Sequence, residues 1–233
     1  MKRNSILWLV LLFTSFSVAC KERPTVTPEA LCRAAKAGDI ERVRSLISRG
    51  VDVNAIVTGS WTPLHHASVM GHKNIVELLV TKGAKIDARD NWNRTPLLLS
   101  APNKGDGVAE LLVAKGADVN VMDNSGDTPL LAALRGADEN LAEFLISKGA
   151  DVNVPIWPPP GGSPAVLTKT PLHYAAMFGY KKVVELLISK GADVNAKTKD
   201  KYAETPLDIA FRSGHTDIVE LLKSSGGKFS IER

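Results

Sequence analysis

The side chains with the widest chemical reach in this sequence are five histidines, His65, His66, His72, His173 and His215, and two cysteines, Cys20 and Cys32. Imidazole and thiolate are the common zinc ligands, general bases and nucleophiles. Their spacing here suits none of those roles. Neighbouring residues on a helix point about 100° apart, so His65 and His66 cannot converge with His72 on one ion. No cysteine or carboxylate cluster joins them at zinc-like spacing. The sequence contains no Gly-x-Ser-x-Gly elbow, phosphate-binding loop or dinucleotide fingerprint. With only two cysteines, a disulfide framework is excluded.

Two of the histidines belong to something larger. The phrase Thr62-Pro-Leu-His65 returns as Thr95-Pro-Leu-Leu98, Thr128-Pro-Leu-Leu131, Thr170-Pro-Leu-His173 and Thr205-Pro-Leu-Asp208. A second phrase, Gly50-Val-Asp-Val-Asn54, returns from Gly83, Gly116, Gly149 and Gly191 at spacings of 33, 33, 33 and 42 residues. From each Thr to the next such Gly is always 21 residues, so every change of length lies between the Asn (or Asp87) and the Thr. Acidic residues recur in all five copies of the second phrase (Asp52, Asp87, Asp118, Asp151, Asp193), which marks them as structural rather than catalytic.

The period of 33 and the Thr-Pro-Leu-His element resemble the ankyrin-repeat family over residues 29 to about 227. The resemblance implies an all-α repeat solenoid, a helix–turn–helix stack with β-hairpin fingers. Six repeats including caps fall at about 29–61, 62–94, 95–127, 128–169, 170–204 and 205–227. Thr caps the first helix of each unit, and Pro at the first helical position has no N–H to waste. The resemblance implies that the His ties back to Thr and to the neighbouring backbone. Ala67, Ala133, Ala175 and Ala210 allow close helix approach, and Gly71, Gly179 and Gly214 fit a left-handed turn after the first helix. The spacing Ile75-Val76-Leu78-Leu79, repeated from Val183 and Ile218, gives the second helix an apolar face. One such unit cannot bury that face alone, so stacking must build the core.

The ends and two inner copies depart from the pattern. In the first copy Glu29-Ala30 stand where Thr-Pro is expected, and Cys32 takes the His position as a small core residue. In the last, Lys223, Ser224 and Ser225 are polar, and the tail 228–233 starts no new unit. Pro102 predicts an early end to the third copy's first helix. Gly136, one place early in the fourth, predicts a reshaped turn with Ala137 in the Gly position.

The family resembles a cupped hand whose partner is set by the ends of the first helices and by the fingertips. Carried across repeat by repeat, those positions hold Val69, Met70, Met177 and Phe178, which are apolar where a solvated helix should be polar. Trp92 stands at a fingertip as a candidate anchor, with Ile56, Val57 and Met122 at other tips and Arg89 and Arg94 as a polar rim. Trp61 fits a packing role. The finger 154–169 carries a nine-residue excess with Pro158–Pro160 and Trp157, which either binds or folds back on the repeats.

Residues 1–19 have a signal-peptide layout: basic Lys2 and Arg3, an apolar run from Ile6 to Phe16, and Ser17-Val18-Ala19 before Cys20. The run is short for a spanning helix, which needs about 20 apolar residues. Ser17-Val18-Ala19-Cys20 resembles a bacterial lipobox, with Ser where Leu is usual, and Ser17-Val18-Ala19 equally satisfies the small-x-small rule of ordinary signal peptidase; a lipid on Cys20, with 20–28 as a linker, is favoured over a freely secreted chain. Loss of Lys2 and Arg3 takes the formal charge from +4 to +2, and the remaining cations alternate with acids, so nucleic acid is not the expected partner. No cofactor or metal is implied. The expected protein is an exported, monomeric, non-catalytic adaptor, periplasmic or membrane-anchored, that binds a protein partner. Some exported bacterial ankyrin proteins that it resembles assist periplasmic enzymes. The alternative is a secreted effector or immunity-type protein acting on a host or competitor protein. Palmitate labelling should mark the wild type and not Cys20→Ala, which should also leave the membrane fraction; an unlabelled wild type in the medium would favour the alternative.

Overall fold

The computed structural model of the chain describes residues 26–154 and 169–231. Within them lie twelve α-helices in six helix–turn–helix pairs: α1 Pro28–Ala37 with α2 Ile40–Ser48, α3 Pro63–Val69 with α4 Lys73–Thr81, α5 Pro96–Ser100 with α6 Val108–Ala114, α7 Pro129–Arg135 with α8 Glu139–Ser147, α9 Pro171–Phe178 with α10 Lys181–Ser189, and α11 Pro206–Arg212 with α12 Thr216–Ser224. First helices pack on first helices and second on second, giving two layers over one continuous apolar core. Ala67, Ala133, Ala175 and Ala210 are fully buried between them. The longer finger does not interrupt the stack, because α7 still meets α9 and α8 still meets α10.

Each first helix starts at a Thr whose side chain or backbone carbonyl takes up the helix's orphan N–H groups, with Pro next in line. The first copy corrects the sequence expectation. Thr27 caps α1 and Pro28 leads it, so the helix begins ahead of Glu29 with its own Thr-Pro pair. The helix is thereby lengthened to ten residues and closed by a local cap.

The fingers also differ from expectation, since no strand forms among the described residues. Each described tip is closed by one backbone bond across its base, Val57 N–H to Trp61 O, Asp90 to Arg94, Asp123 to Asp127 and Thr198 to Glu204, at 2.9–3.0 Å, and the last three add a tight-turn bond inside it (Asn93 to Asp90, Gly126 to Asp123, Ala203 to Asp200). One cross-strand bond per tip is too few for a ladder. Adjacent tips are instead joined sideways, through Asn91 N–H to Gly59 O at 3.2 Å and Asn124 N–H to Trp92 O at 3.0 Å.

Pro102 and Gly136 act as expected, and the structure supplies the reason for the second. Helix α5 stops after five residues. In the next unit Ala137 takes the left-handed turn at φ 57°, while a Cβ on Gly136 would sit 2.9 Å from the Pro102 carbonyl oxygen. Gly136 is therefore small because the third copy's altered turn leans on it.

The asparagine closing the second phrase proves to be an inter-repeat clamp. Asn120 donates from Nδ2 to Gly149 O (3.1 Å) and accepts at Oδ1 from Asp151 N–H (2.8 Å). Asn54, Asn153 and Asn195 repeat both bonds on Gly83 and Lys85, Gly191 and Asp193, and Gly226 and Lys228. Asp87 accepts from Asp118 N–H at 3.2 Å but has no N–H for the Gly116 carbonyl. Restoring that donor with Asp87→Asn should raise stability by about 1 kcal/mol, seen as a higher melting temperature. Asn120→Asp should lower it similarly; a destabilised Asp87→Asn would contradict the clamp.

Candidate functional site

The histidines are taken up by the scaffold. Thr62 N–H donates to His65 Nδ1 at 3.1 Å, so Nδ1 carries a lone pair and the ring proton sits on Nε2, which donates to Arg94 O in the next unit at 3.3 Å. His173 repeats this with Thr170 N–H (3.1 Å) and Glu204 O (3.1 Å). Burial pushes both imidazoles down, His173 to about 4, so each is neutral at neutral pH. His72 Nε2 bonds Lys36 O (3.0 Å) and His215 Nε2 bonds Met177 O (3.2 Å), each ring seated on the preceding unit's turn glycine, Gly38 or Gly179. In the third copy Asp106 fills that seat against Gly71.

His66 is the exception. It lies half-buried against Trp61, ring centres 4.9 Å apart, and its Nδ1 has no hydrogen-bond partner. Burial, then the charges of Lys36 and His65, hold it below the ordinary histidine range. Cys32 is buried, which, with Glu29 adding a little, pushes its thiol up to about 11, far from the thiolate that nucleophilic chemistry needs. Among the described residues no three His, Cys, Asp or Glu side chains gather as a metal site. No described helix is long and apolar enough to cross a membrane.

The terminal unit solves the histidine problem differently. Asp208 stands in its place and accepts from Thr205 N–H and Ser230 N–H, both at 2.9 Å. Burial would raise this carboxyl, yet those bonds together hold it below its usual range. An acceptor suits this position because the tail returns here with N–H groups. Lys228 meets Asn195, and Phe229 packs edge-on against Phe211 at 5.7 Å.

Apart from Val26 and Ile231 near the ends of the described residues, the exposed large apolar side chains lie on the fingers and the first helices. Met70 is 45 % exposed, Phe178 42 % and Trp92 56 %, while Val69 and Met177 are half-buried and Met177 packs on the core. Phe178 stacks between Tyr174 and Tyr180 at 6.3 and 5.7 Å. Arg89 is exposed. Arg94 turns inward from the expected rim: its guanidinium bonds Asp90 Oδ2 at 2.6–2.8 Å and lies 4.8 Å from the Trp92 ring centre. Trp61 Nε1 donates to the same carboxylate at 3.1 Å, confirming its packing role. Trp92 is thus presented by a fixed node. Trp157 and Cys20 lie outside the described residues.

Sequence reading missed Tyr202, 63 % exposed with Lys201 Nζ 4.9 Å from its ring centre. Its signal was positional: Tyr202 stands three residues before Thr205, as Trp92 stands three before Thr95. Phe211, 53 % exposed, was also missed because it lies one place ahead of the compared positions.

The family model described as ankyrin repeats (3 copies) matches residues 5–90, 82–156 and 161–232. The chain belongs to the ankyrin-repeat family. Repeats of this kind are generally protein–protein interaction modules and typically non-enzymatic scaffolds. No curated protein matches the chain.

The neutral histidines set a pH dependence. An unfolded histidine binds its proton near 6.5 and His173 only near 4, so between those values the unfolded chain holds more protons. Stability should therefore fall as pH drops from about 6.5 to about 4, by on the order of 3 kcal/mol for such a site. Urea denaturation across that range should show the slope, flattened in a His65→Gln/His173→Gln variant; an equal slope in that variant would contradict the assignment.

Proposed function

We infer that this chain is a non-catalytic adaptor of the cell envelope that holds a protein partner on the face formed by its fingertips and first-helix ends. One observation carries the reading. Once the scaffold's bonds are assigned, the large apolar side chains still exposed include Ile56, Met70, Trp92, Phe178 and Tyr202, and all five occupy fingers or first-helix ends. Soluble proteins rarely leave such groups grouped on one functional surface without a use, and aromatic anchors dominate protein interfaces. The envelope location rests on the signal-like layout of residues 1–19 and on Cys20.

The scaffold residues support the non-catalytic part. Imidazoles fixed as neutral links between repeats cannot also shuttle protons to a substrate. The thiol of Cys32 is held protonated by burial.

Photo-crosslinkers placed at Trp92 and Phe178 should capture one partner in native envelopes. Met70→Glu, Trp92→Ala and Phe178→Glu should each weaken that capture by about tenfold or more. Because all three side chains are substantially exposed, the melting temperature should move by no more than about 2 °C. Undiminished capture by all three variants would reject this face.

A further inference from the structure

Resting on the protein-binding reading, we propose that His66 is a pH-sensitive seat for the partner face: its neutral ring supports Trp61 and, through Trp61, the Trp92 anchor, whereas its protonated ring leaves that place, so that acid loosens the face. The repeat shows what is unusual about this residue. At the position after the His of each Thr-Pro-Leu-His element, the later copies carry Leu99, Ala132, Tyr174 and Ile209. Ala132, Tyr174 and Ile209 are buried and Leu99 is half-buried. The second copy puts an imidazole where these copies keep an apolar or aromatic side chain.

The two ring nitrogens of His66 are not equivalent. Nδ1 is enclosed and has no hydrogen-bond partner. The neutral tautomer with its proton on Nε2 buries only a lone pair there. An imidazolium must carry a proton on both nitrogens, and Nδ1–H then finds no acceptor in the seat. No carboxylate receives the charge either. Residues 54–61 of the first finger and the whole of α5 carry no charged side chain. Helix α1 brings Glu29, Cys32, Arg33 and Lys36, of which Lys36 acts on the ring, and α3 brings His65; both oppose a charge on His66. Lys73 and Glu77 belong to α4 in the layer of second helices, and Asp90 and Arg94 of the second finger are paired with each other. A histidine ring in water binds its proton near 6.5 and the seated ring only at lower pH. The seat is therefore stable above that value and is lost progressively below it.

What rests on the seat gives it consequence. The His66 ring lies against Trp61 with centres 4.9 Å apart. Trp61 Nε1 donates to Asp90 Oδ2, the same oxygen that holds the Arg94 guanidinium. That guanidinium lies 5.8 Å from the Trp61 ring centre and 4.8 Å from that of Trp92. Exposed Met70 follows His66 by four residues, one helical turn on. Departure of the ring uncovers Trp61 and loosens the support of Trp92.

The full chain, carrying 5-fluorotryptophan and ring-labelled histidine, can be followed by NMR as the pH is lowered from about 7.5 to about 5. His66 should titrate below about 6.5. The Trp61 and Trp92 resonances, identified with Trp61→Phe and Trp92→Phe, should shift together at the His66 midpoint, with far-UV circular dichroism unchanged. His66→Leu, which installs the residue of the third copy, should hold both resonances still; His66→Gln should do the same and serves if the Leu variant alters the fold. Capture through a crosslinker at Phe178, which leaves Trp92 in place, should fall by about threefold or more over that range in the wild type and stay level in His66→Leu. Shifts that persist in both His66 variants would assign the effect to His65, whose ring centre lies 6.0 Å from that of Trp61, and would overturn the proposal. So would a His66 titration at or above about 6.5, or a Trp92 resonance that ignores it. Absence of capture at neutral pH with the coupled shifts intact would remove the protein-binding reading and leave the seat itself standing.

Discussion

In each central unit, polar groups are completed by the unit that follows. Asn120 spends both ends of its amide on the backbone of Gly149 and Asp151. His65 and His173 pass their one ring proton to a carbonyl of the next repeat. An unpaired buried histidine costs about 1–3 kcal/mol and each exposed asparagine bond contributes less, so a repeat set out of register would lose several bonds together. Register is thus fixed by hydrogen bonding, and apolar burial supplies the driving force once the units align.

This dependence explains the ends. After the sixth unit the tail supplies what the following repeat gives elsewhere: Lys228 completes the Asn195 clamp and Ser230 donates to Asp208. Replacing His by Asp there matches a partner that offers N–H rather than C=O. At the other end, Thr27 and Pro28 give α1 a cap that elsewhere follows a finger. Irregularity inside the stack is handled locally. The short α5 is answered by Gly136, which gives way to Pro102, and α7 and α8 still meet both neighbours.

A scaffold so occupied leaves little chemistry over. His65 and His173 are neutral links, the fingertip aspartates bind their own loops, and Cys32 is a buried core thiol. On the proposed reading, specificity falls to side chains that no neighbouring repeat requires. Trp92 shows how the two roles connect: the exposed ring is backed by Arg94, which Asp90 holds, which in turn receives Trp61 from the preceding unit. Held this way, Trp92 would lose little freedom in the proposed binding.

The sequence by itself determined the family, the helix pairs, the short α5 and the fully buried alanines, because a repeated unit states each structural demand several times over. Recurrence also exposed Met70, Trp92 and Phe178 as departures from the scaffold. It gave no role to the asparagine, although the residue recurs, since only its partners one unit away reveal a clamp. Tyr202 and Phe211 were overlooked because their exposure depends on how each finger turns and on where the tail returns. Tertiary structure alone decided that Arg94 faces inward, that Thr27 caps the first helix and that the fingers are turns rather than ladders. The physical reason is common to all of these. Spacing along the chain encodes what each unit must bury, whereas the direction of a side chain at a tip is set by contacts with residues about 30 positions away.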